Sequence, residues 1–308
     1  MSEIMNFIQN DLQKKNFENF GPIIFDNQHA TYQEINHVSD FLNFLNGISN
    51  TNLYLRGQSQ TSYLLSPSIL RTNQLQSNEQ KIYREMLIRC PEEFKYMHHH
   101  IDFLVKMQHY GLPTRLLDIT SNPLVALYFA CCSNEDQMGE VIIFSPKQEQ
   151  IKFETSDCVA MIATLPLFTE SEQNSLIDAL YCGSKYDDSE KNGKDIIERF
   201  VYELQSDKPG FVDNIKVQDI ENCFVVITKQ DNNRIMKQDG AFIICGKCNH
   251  PNEAINQSLR LKIKDKIQLV FINNKKQILH ELDSISINES SLFPEIEHVS
   301  AYLKSKYC

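Results

Sequence analysis

Apolar positions recur at helical intervals in several stretches of this chain. Between Ile35 and Leu45 they follow a helical spacing, Thr31 precedes them as a candidate N-cap, and Gly47 follows them. This pattern predicts a capped amphipathic helix that opens at Thr31 and ends at Gly47. Helical patterns also occupy residues 78–111, 121–132, 154–168, 171–182, 189–211, 275–285 and 291–307.

Short apolar runs bounded by turn residues predict strands. They occupy residues 52–57, 140–146, 222–229, 240–246, 259–264 and 267–272. Helices dominate the first half of the chain and strands the second, so we expect the two early strands to join the later ones in one sheet. The pattern predicts a single α+β domain over residues 1–308, with a helix-rich N-terminal half around a mixed or antiparallel sheet. The charged stretch 185–195 is interpreted as a solvated loop, with a domain boundary as the alternative.

Composition narrows the function classes. The chain has 308 residues, 42% hydrophobic and 23% charged, as is ordinary for globular proteins. Its net charge of −10 disfavours general binding to nucleic-acid phosphates. The nine cysteines form no framework, the N-terminus carries no basic-then-apolar signal, and the longest apolar runs are about half of a membrane span. These features predict a cytoplasmic protein with reduced thiols and no membrane partner.

Arg56 is the first candidate for chemistry. It stands at the end of an apolar strand, and the following Gly57 allows the chain to turn sharply. An arginine aimed from a strand end can bind a phosphate or carboxylate with two parallel hydrogen bonds. A surface arginine in a hairpin is the competing interpretation. A second arginine, Arg71, can pair with an acidic group and hold the intervening loop.

The stretch 105–132 threads polar groups between two apolar helical segments that break at a Gly-Leu-Pro turn. His109 and Tyr110 end the first segment, where a histidine suits the helix dipole without any function. The polar residues that follow are Thr114, Arg115, Asp118, Thr120 and Asn122. An Arg115–Asp118 ion pair, or an Asp118 side chain bonded to neighbouring amides, would explain part of this set structurally. A pocket wall that also fixes the second helix explains more of it.

A third polar run carries Arg234, Gln238 and Asp239 and reaches Gly240 before an apolar strand. Gly240 can mark a bulge or a close approach of the backbone. Two further stretches do not predict a metal site. Adjacent members of the His98–His100 run point apart on a helix. The Cys-x-x-Cys pair of residues 245–248 has no second pair to complete a structural zinc site, so no metal is expected. The sequence also has no P-loop, no GxGxxG and no GxSxG motif.

Five segments occur in a fixed order between about residue 35 and residue 303. They are "YLRGQ", "LSPSILR", "QHYGLPTRLLDITSNPLVALYFAC", "NRIMKQDGAFIICG" and "ILHELDSISINESSLFPEIEHVSAYL". Together they resemble the FRG domain, a family of bacteria and phages named for a Phe/Tyr-Arg-Gly motif. Here the motif reads Leu55-Arg56-Gly57, with the aromatic residue one position earlier at Tyr54.

The resemblance implies a core similar to that of ADP-ribosyltransferases. Those proteins use an Arg or His on the first core strand, then a Ser/Thr-bearing motif, then a late Glu. By position Arg56 takes the first role, Thr114–Thr120 the second, and Gln238 stands near the third. The implied catalytic residues are Arg56, Asp118, Gln238 and Asp239. The implied nucleotide-binding residues are Tyr54, Arg56, Gly57, Gln58, His109, Tyr110, Thr114, Arg115, Thr120, Asn122 and Arg234.

The implied substrate is NAD, whose pyrophosphate a bidentate arginine can hold. Cleavage of the bond between nicotinamide and ribose builds positive charge on the ribose, which a carboxylate must stabilise. Gln238 is neutral, so Asp118 or Asp239 would have to substitute for the expected Glu. We expect Arg56 and Arg115 to converge on one pocket with Thr114 and Asp118.

Two functions from different classes remain open. The first is an NAD-consuming ADP-ribosyltransferase-like effector of a bacterial toxin or anti-phage defence system, with a protein acceptor. The second is a non-catalytic sensor that binds a nucleotide or a phage component and regulates a partner effector. The dense arginine and hydroxyl motif favours the enzyme, and the missing late Glu favours the sensor.

Overall fold

The structure is a computed structural model that describes residues 23–25, 28–49, 52–182, 191–212, 214–229 and 232–307. Two sequence interpretations fall on other positions. The N-terminus, interpreted above as lacking a secretion signal, and residues 185–190 of the charged stretch lie outside the described residues, whereas residues 191–195 of that stretch begin a helix.

Helices occupy much of the chain. The α-helices are α1 (Val38–Asn46), α2 (Asn73–Arg89), α3 (Pro91–Phe94), α4 (His100–His109), α5 (Pro123–Cys131), α6 (Asp157–Thr164), α7 (Glu170–Cys182), α8 (Lys191–Asp207), α9 (Val217–Glu221), α10 (Asn233–Lys237), α11 (Pro251–Ser258), α12 (Lys275–Ser284), α13 (Glu289–Leu292) and α14 (Ile296–Tyr307). The described residues also form three short 3₁₀ helices, at Ser68–Leu70, Gln148–Gln150 and Leu165–Leu167. The helices predicted after residue 120 all form, with boundaries shifted by a few residues.

One sheet joins the ten strands of the described residues. The strands are β1 (Ile23–Phe25), β2 (Gln28–Ile35), β3 (Tyr54–Gln58), β4 (Leu116–Thr120), β5 (Gly139–Phe144), β6 (Ile151–Phe153), β7 (Cys223–Ile227), β8 (Gly240–Cys245), β9 (Lys262–Ile263) and β10 (Lys266–Ile272). Their order is β1-β2-β10-β5-β3-β4-β8-β7-β6, and β9 pairs with β10. The β2–β10 and β6–β7 pairs are parallel and the others antiparallel. The chain is therefore a mixed α/β protein with a mixed sheet, and the early strands do join the later ones as predicted.

The N-terminal half contains more strands than the sequence predicted. Strands β1, β2 and β4 precede residue 121 without having been predicted, and β2 replaces the start of the helix expected at Thr31. Residues 30–35 pair in parallel with β10, which buries Ala30 and Ile35 on the sheet. This pairing outweighs the local helical spacing, and α1 begins only after His37.

The polar stretch between α4 and α5 contains a central strand. All five residues of β4 pair with β8, from Leu116–Ile244 to Thr120–Gly240. Leu117 and Ile119 are buried on one face, whereas Asp118 between them is exposed on the other. The polar groups of this stretch therefore line a strand in the middle of the sheet.

Gly57 lies inside β3, which corrects its predicted role in a sharp turn. A Cβ atom at this position would lie 1.9 Å from the Ala126 oxygen and 2.6 Å from the Ala130 nitrogen of α5. Only glycine lets α5 pack this closely on β3. Because alternate residues of a strand face opposite sides, Arg56 points away from α5, next to Ile142 of β5.

Candidate functional site

The sheet is split between β3 and β4. The register joins these strands at one pair, Leu55 with Thr120, while β4 pairs with β8 along five residues. Beyond that pair the backbone groups of β4 on the β3 side need other partners. Arg56 supplies one, because its Nη1 donates to the Asp118 carbonyl oxygen at 2.7 Å.

The Arg56 guanidinium is held at this split with a donor left over. Its Nε is buried and has no hydrogen-bond partner among the described residues. Burial lowers the pKa of Arg56, the Asp118 carboxylate opposes this shift, and the nearby charge of Arg71 adds to it. An arginine stays protonated at neutral pH despite such a shift. The split therefore presents a half-buried cation with unused hydrogen-bonding capacity.

Asp118 is oriented from α4. Gln108 donates its side-chain amide to Asp118 Oδ2 at 2.8 Å, and Thr114 donates its hydroxyl to Gln108 Oε1 at 2.7 Å. The Leu116 amide in turn donates to the Thr114 hydroxyl at 3.1 Å. This chain of bonds fixes the carboxylate, whose other oxygen accepts no hydrogen bond from the described residues and whose residue is exposed. Thr114 is thus placed to orient Asp118 through Gln108.

Arg115 does not join this group, and its predicted convergence with Arg56 is wrong. It is 1% exposed and donates to both carboxylate oxygens of Glu79, at 2.7 and 2.6 Å. It also donates to Gln173 Oε1 at 2.9 Å and to the carbonyl oxygens of Cys245 and Gly246. The predicted ion pair with Asp118 is replaced by the pair with Glu79. These five contacts use all the donors of a guanidinium, so none remains for a ligand.

The late motif forms a turn between α10 and β8. Gln238 is the C-cap of α10, and Asp239 has a φ of 45°, so strand alternation does not separate their side chains. The Thr120 hydroxyl donates to the Gln238 carbonyl at 2.6 Å, which joins this turn to the end of β4. Asn122 donates to Asp239 Oδ2 at 3.0 Å while its own oxygen caps α5. The turn and the start of α5 are therefore held as one unit.

The C-terminal segment between α13 and α14 lies against the late motif. Gln238 donates its side-chain amide to the Leu292 carbonyl at 3.1 Å. The Arg234 guanidinium carbon stands 4.7 Å from the centre of the Phe293 ring, a cation–π contact. Phe293 also meets the edge of Phe129 from α5. A chain of contacts thus joins Arg56 to β4, β4 to the late motif, and the late motif to the C-terminal segment.

His109 connects α4 to the same segment. Its Nε2 lies 3.9 Å from Glu295 Oε1. Burial, together with the charge of Arg234, lowers the pKa of His109 below its usual 6.5, and the Glu295 carboxylate opposes the shift. The fold therefore favours the neutral form of this imidazole.

The remaining predicted residues lie around this group. Tyr54 is half-buried on the same face of β3 as Arg56, and burial raises the pKa of its hydroxyl. Gln58 is 3% exposed, and neither polar atom of its amide has a partner among the described residues. Tyr110 is 60% exposed and borders a cleft of about 420 Å³ that begins at His109. That cleft runs between α3, α4 and the end of β7, and it is lined by Glu93, Tyr96, Lys106, Glu154, Lys229 and Asn232 among others.

No group of three or more His, Cys, Asp or Glu side chains is placed to hold a metal ion within the described part of the chain. Cys223 and Cys245 lie on paired strands with their sulfur atoms 3.2 Å apart. The prediction of no metal stays a prediction. None of the described helices is long and apolar enough to cross a membrane.

Sequence reasoning missed three contributors to the site: Gln108, Phe293 and Glu295. Gln108 directly precedes His109 in a quoted motif, but a glutamine in the last turn of a helix carries no signal of its own. Phe293 and Glu295 stand in the quoted C-terminal motif, "SLFPEIEH", which predicted a packed helix. The signal that was available is that this C-terminal segment is one of the five that together resemble the family.

Comparison with known proteins gives one match. No curated protein and no solved structure matches the chain. One family model matches part of the chain, in a range that includes the Arg56 strand and the polar stretch of β4 but stops before the late motif and the C-terminal segment. The family model described as the FRG domain matches residues 51–138, which confirms the resemblance to that family in this part of the chain.

Proposed function

We propose that this protein is an NAD-consuming, ADP-ribosyltransferase-like effector of the bacterial cytosol, acting as a toxin or in defence against phages. The observation that carries the proposal is the state of Arg56. Its guanidinium stands at the split between β3 and β4 with a buried Nε that has no partner among the described residues. Such a donor is satisfied by an anionic ligand, and a pyrophosphate matches the geometry of a guanidinium.

The surroundings of Arg56 support a nucleotide rather than a bare anion. The Asp118 carboxylate acts on Arg56 at the split. The late motif, joined to the end of β4 by the Thr120–Gln238 bond, adds the half-buried Arg234 and an Asp239 carboxylate held by the Asn122 amide. The aromatic ring of Phe293 lies beside Arg234. A dinucleotide needs this combination, because it carries two phosphates, two riboses with hydroxyl groups and two flat rings.

The proposed reaction breaks the bond between C1′ of the ribose and the ring nitrogen of nicotinamide. The bonding electrons leave with the nitrogen, so the cationic ring becomes neutral nicotinamide and the ribose becomes an oxocarbenium-like cation. A lone pair of the acceptor, a protein side chain or water, then attacks C1′ and the acceptor loses one proton. The protein must therefore bind the pyrophosphate and place a carboxylate near the developing cation. Asp118 in the polar stretch of β4 and Asp239 in the late motif are the candidates for this carboxylate.

A non-catalytic sensor is the second candidate, and one observation favours it. Asp118 accepts from Gln108, Asp239 accepts from Asn122, and Gln238 donates to Leu292. The polar side chains of the motifs that stand nearest the expected acid are thus all engaged in structural bonds. A site with these bonds can hold a nucleotide and report its presence to a partner effector without cleaving it.

NAD consumption by the purified full chain tests the proposal. We expect release of nicotinamide by the parent protein, and a loss of about a hundredfold or more in Arg56→Ala, because the pyrophosphate loses its bidentate partner. Arg89→Ala is the matched control, since Arg89 is an exposed arginine paired only with Glu85. Arg56→Lys separates charge from geometry, and we expect it to resemble Arg56→Ala.

Three outcomes separate the two candidates. Turnover that needs Arg56 supports the enzyme. Binding of NAD that needs Arg56, with no release of nicotinamide, supports the sensor and rejects the enzyme. Equal behaviour of Arg56→Ala and Arg89→Ala in both assays rejects the nucleotide site itself.

A further inference from the structure

Three cysteines meet at one end of the β7–β8 strand pair. Cys223 begins β7, Cys245 ends β8, and Cys248 follows in the loop after β8. The sulfur atoms of Cys223 and Cys245 lie 3.2 Å apart, and the Cys248 thiol is hydrogen-bonded to the Cys223 thiol. Cys223 is therefore the central thiol of the three, within reach of both others.

The three thiols differ in their access to solvent. Cys223 and Cys245 are 5% and 0% exposed, whereas Cys248 is half-buried. A reagent from solution therefore meets Cys248 first. The hydrogen bond to Cys223 and burial raise the pKa of the Cys248 thiol, and the Arg115 guanidinium opposes this rise. Because the thiolate is the reactive form, a reaction at Cys248 should become faster as the pH rises.

The strand register suits a disulfide between the two buried thiols. Cys223 and Cys245 are directly opposite partners in the antiparallel β7–β8 ladder. In the next pair, the Gly246 amide donates to the Asn222 carbonyl at 3.0 Å. Hydrogen-bonded pairs alternate with non-hydrogen-bonded ones, so the cysteines form a non-hydrogen-bonded pair, with an expected α-carbon separation of about 4.5 Å. Disulfides span α-carbon separations of about 4.4–6.8 Å, so this bridge requires little movement of the backbone.

We infer that these cysteines form a thiol relay, a modification site that takes a low-molecular-weight disulfide such as oxidised glutathione. Cys248 receives the oxidation at the surface, Cys223 passes it inward, and a Cys223–Cys245 disulfide is the product. The arrangement supports this order, because the half-buried thiol contacts the central one and the central one contacts its strand partner.

The relay consists of three thiol–disulfide exchanges. The Cys248 thiolate attacks one sulfur of oxidised glutathione, and the first glutathione leaves as a thiolate. The Cys223 thiolate then attacks the Cys248 sulfur, which releases the second glutathione. The Cys245 thiolate finally attacks the Cys223 sulfur, which releases Cys248 as a thiolate. Two protein thiols have then lost two electrons and two protons, and one molecule of oxidised glutathione has been reduced to two of glutathione.

The product disulfide joins the two ends of the segment 223–245, which carries the late motif. A bridge between the ends of a segment restricts the unfolded chain and so stabilises the folded one. The bridge also lies beside the buried Arg115, which donates to the Cys245 carbonyl oxygen. The oxidised protein should therefore melt at a temperature at least about 3 °C above that of the reduced protein.

Incubation of the reduced full chain with oxidised glutathione tests the relay. Free thiols are blocked by alkylation at successive times, and the disulfides are identified by mass spectrometry of peptides. We expect a Cys223–Cys245 bridge in the folded protein. Cys248→Ser should slow its formation about tenfold or more, and Cys245→Ser should stop at a Cys223–Cys248 bridge. Cys90→Ser removes a half-buried cysteine elsewhere and is the matched control, expected within about twofold of the parent. Melting curves check that each variant is folded.

The exposed Cys182 reports whether the reagent has reacted, because it should acquire glutathione directly. A folded parent protein whose Cys182 carries glutathione and which has no Cys223–Cys245 bridge overturns the inference. Equal rates of bridge formation in Cys248→Ser and Cys90→Ser overturn the role of Cys248 as the entry point. A folded Cys245→Ser variant without a Cys223–Cys248 bridge overturns the transfer through Cys223.

Discussion

Arg56 and Arg115 occupy neighbouring places in the sheet and meet opposite surroundings. Arg115 directly precedes β4 and donates to five acceptors, including both oxygens of the buried Glu79. Arg56 lies in β3, donates to one carbonyl oxygen and keeps a buried Nε without a described partner. All the donors of Arg115 are thus satisfied within the protein, whereas Arg56 keeps one donor unused. We call the surroundings of Arg56 the open region for this reason. The difference lies in how many donors are already satisfied, and we expect it to separate effects on stability from effects on ligand binding.

Removing Arg115 should produce the largest loss of stability. Arg115→Ala leaves the Glu79 carboxylate buried without its cation, and breaking such a pair costs about 3–5 kcal/mol of unfolding free energy. Arg56→Ala removes one hydrogen bond to a backbone oxygen and should cost about 1 kcal/mol. Denaturant unfolding of both variants measures the contrast. Equal losses in the two variants would mean that Arg56 is structural as well.

Gly57 sets the packing beside the open region, and its replacement should rank second. Gly57→Ala places a methyl group 1.9 Å from the Ala126 oxygen, so α5 must move away from β3 at a cost of about 3 kcal/mol. Gly210→Ala is the control, because nothing lies within 4 Å of a Cβ atom there. Thermal melting compares the stability of the Gly57→Ala and Gly210→Ala variants. A Gly57→Ala protein as stable as Gly210→Ala would contradict the close approach of α5.

These two regions also show where the sequence is informative. The apolar runs of β3, β5, β7, β8 and β10 predict their strands, because a buried strand can be recognised from the short apolar run of its own residues. β4 was not predicted, because Asp118 and Thr120 within it and the preceding Thr114 and Arg115 give the polar pattern of a loop. Its place in the sheet depends on pairing with β8, more than 100 residues away.

The candidate site divides in the same way. Strand and helix ends rich in polar residues point to Asp118, Asn122 and Arg56. Arg56 does bond to the Asp118 carbonyl at the split, whereas Asn122 bonds to Asp239 of the late motif. The burial of Arg115 rests on Glu79, which sits on a helix whose spacing does not distinguish it from a solvated residue. Glu295 enters the site through the docking of the C-terminal segment. Contacts between distant elements decide both, and no local pattern encodes them.

Asn122 links the start of α5 to the late motif, and its loss should have a moderate effect. Asn122→Ala removes the cap of α5 and the bond to Asp239, which should lower the unfolding free energy by about 1 kcal/mol. Asn274→Ala is the matched control, because Asn274 precedes α12 without a side-chain cap bond. We expect its effect to stay within about 0.5 kcal/mol. Denaturant unfolding compares the two, and an equal loss would show that the Asn122 cap contributes nothing.

The smallest effect concerns the pKa of His109 and tests the electrostatics of the open region. His109 should titrate below 6.5 in the folded protein, because burial and the Arg234 charge disfavour the imidazolium. His37 provides an internal reference, since its bond to Glu281 raises its pKa above 6.5. NMR titration of the histidine rings, with His109→Gln for assignment, measures both values.

The direction of the shift also fixes how His109 affects stability. Its folded pKa lies below the unfolded value, so the unfolded chain binds more protons as the pH falls through 6.5. The unfolding free energy should therefore decline as the pH falls through that window. His109→Gln should remove the contribution of His109 to this pH dependence, while the buried His100 keeps its own contribution. Glu295→Gln should lower the pKa of His109 further, because the Glu295 carboxylate favours the protonated ring. An unchanged His109 pKa in that variant would place the Glu295 charge too far from the ring to act on it.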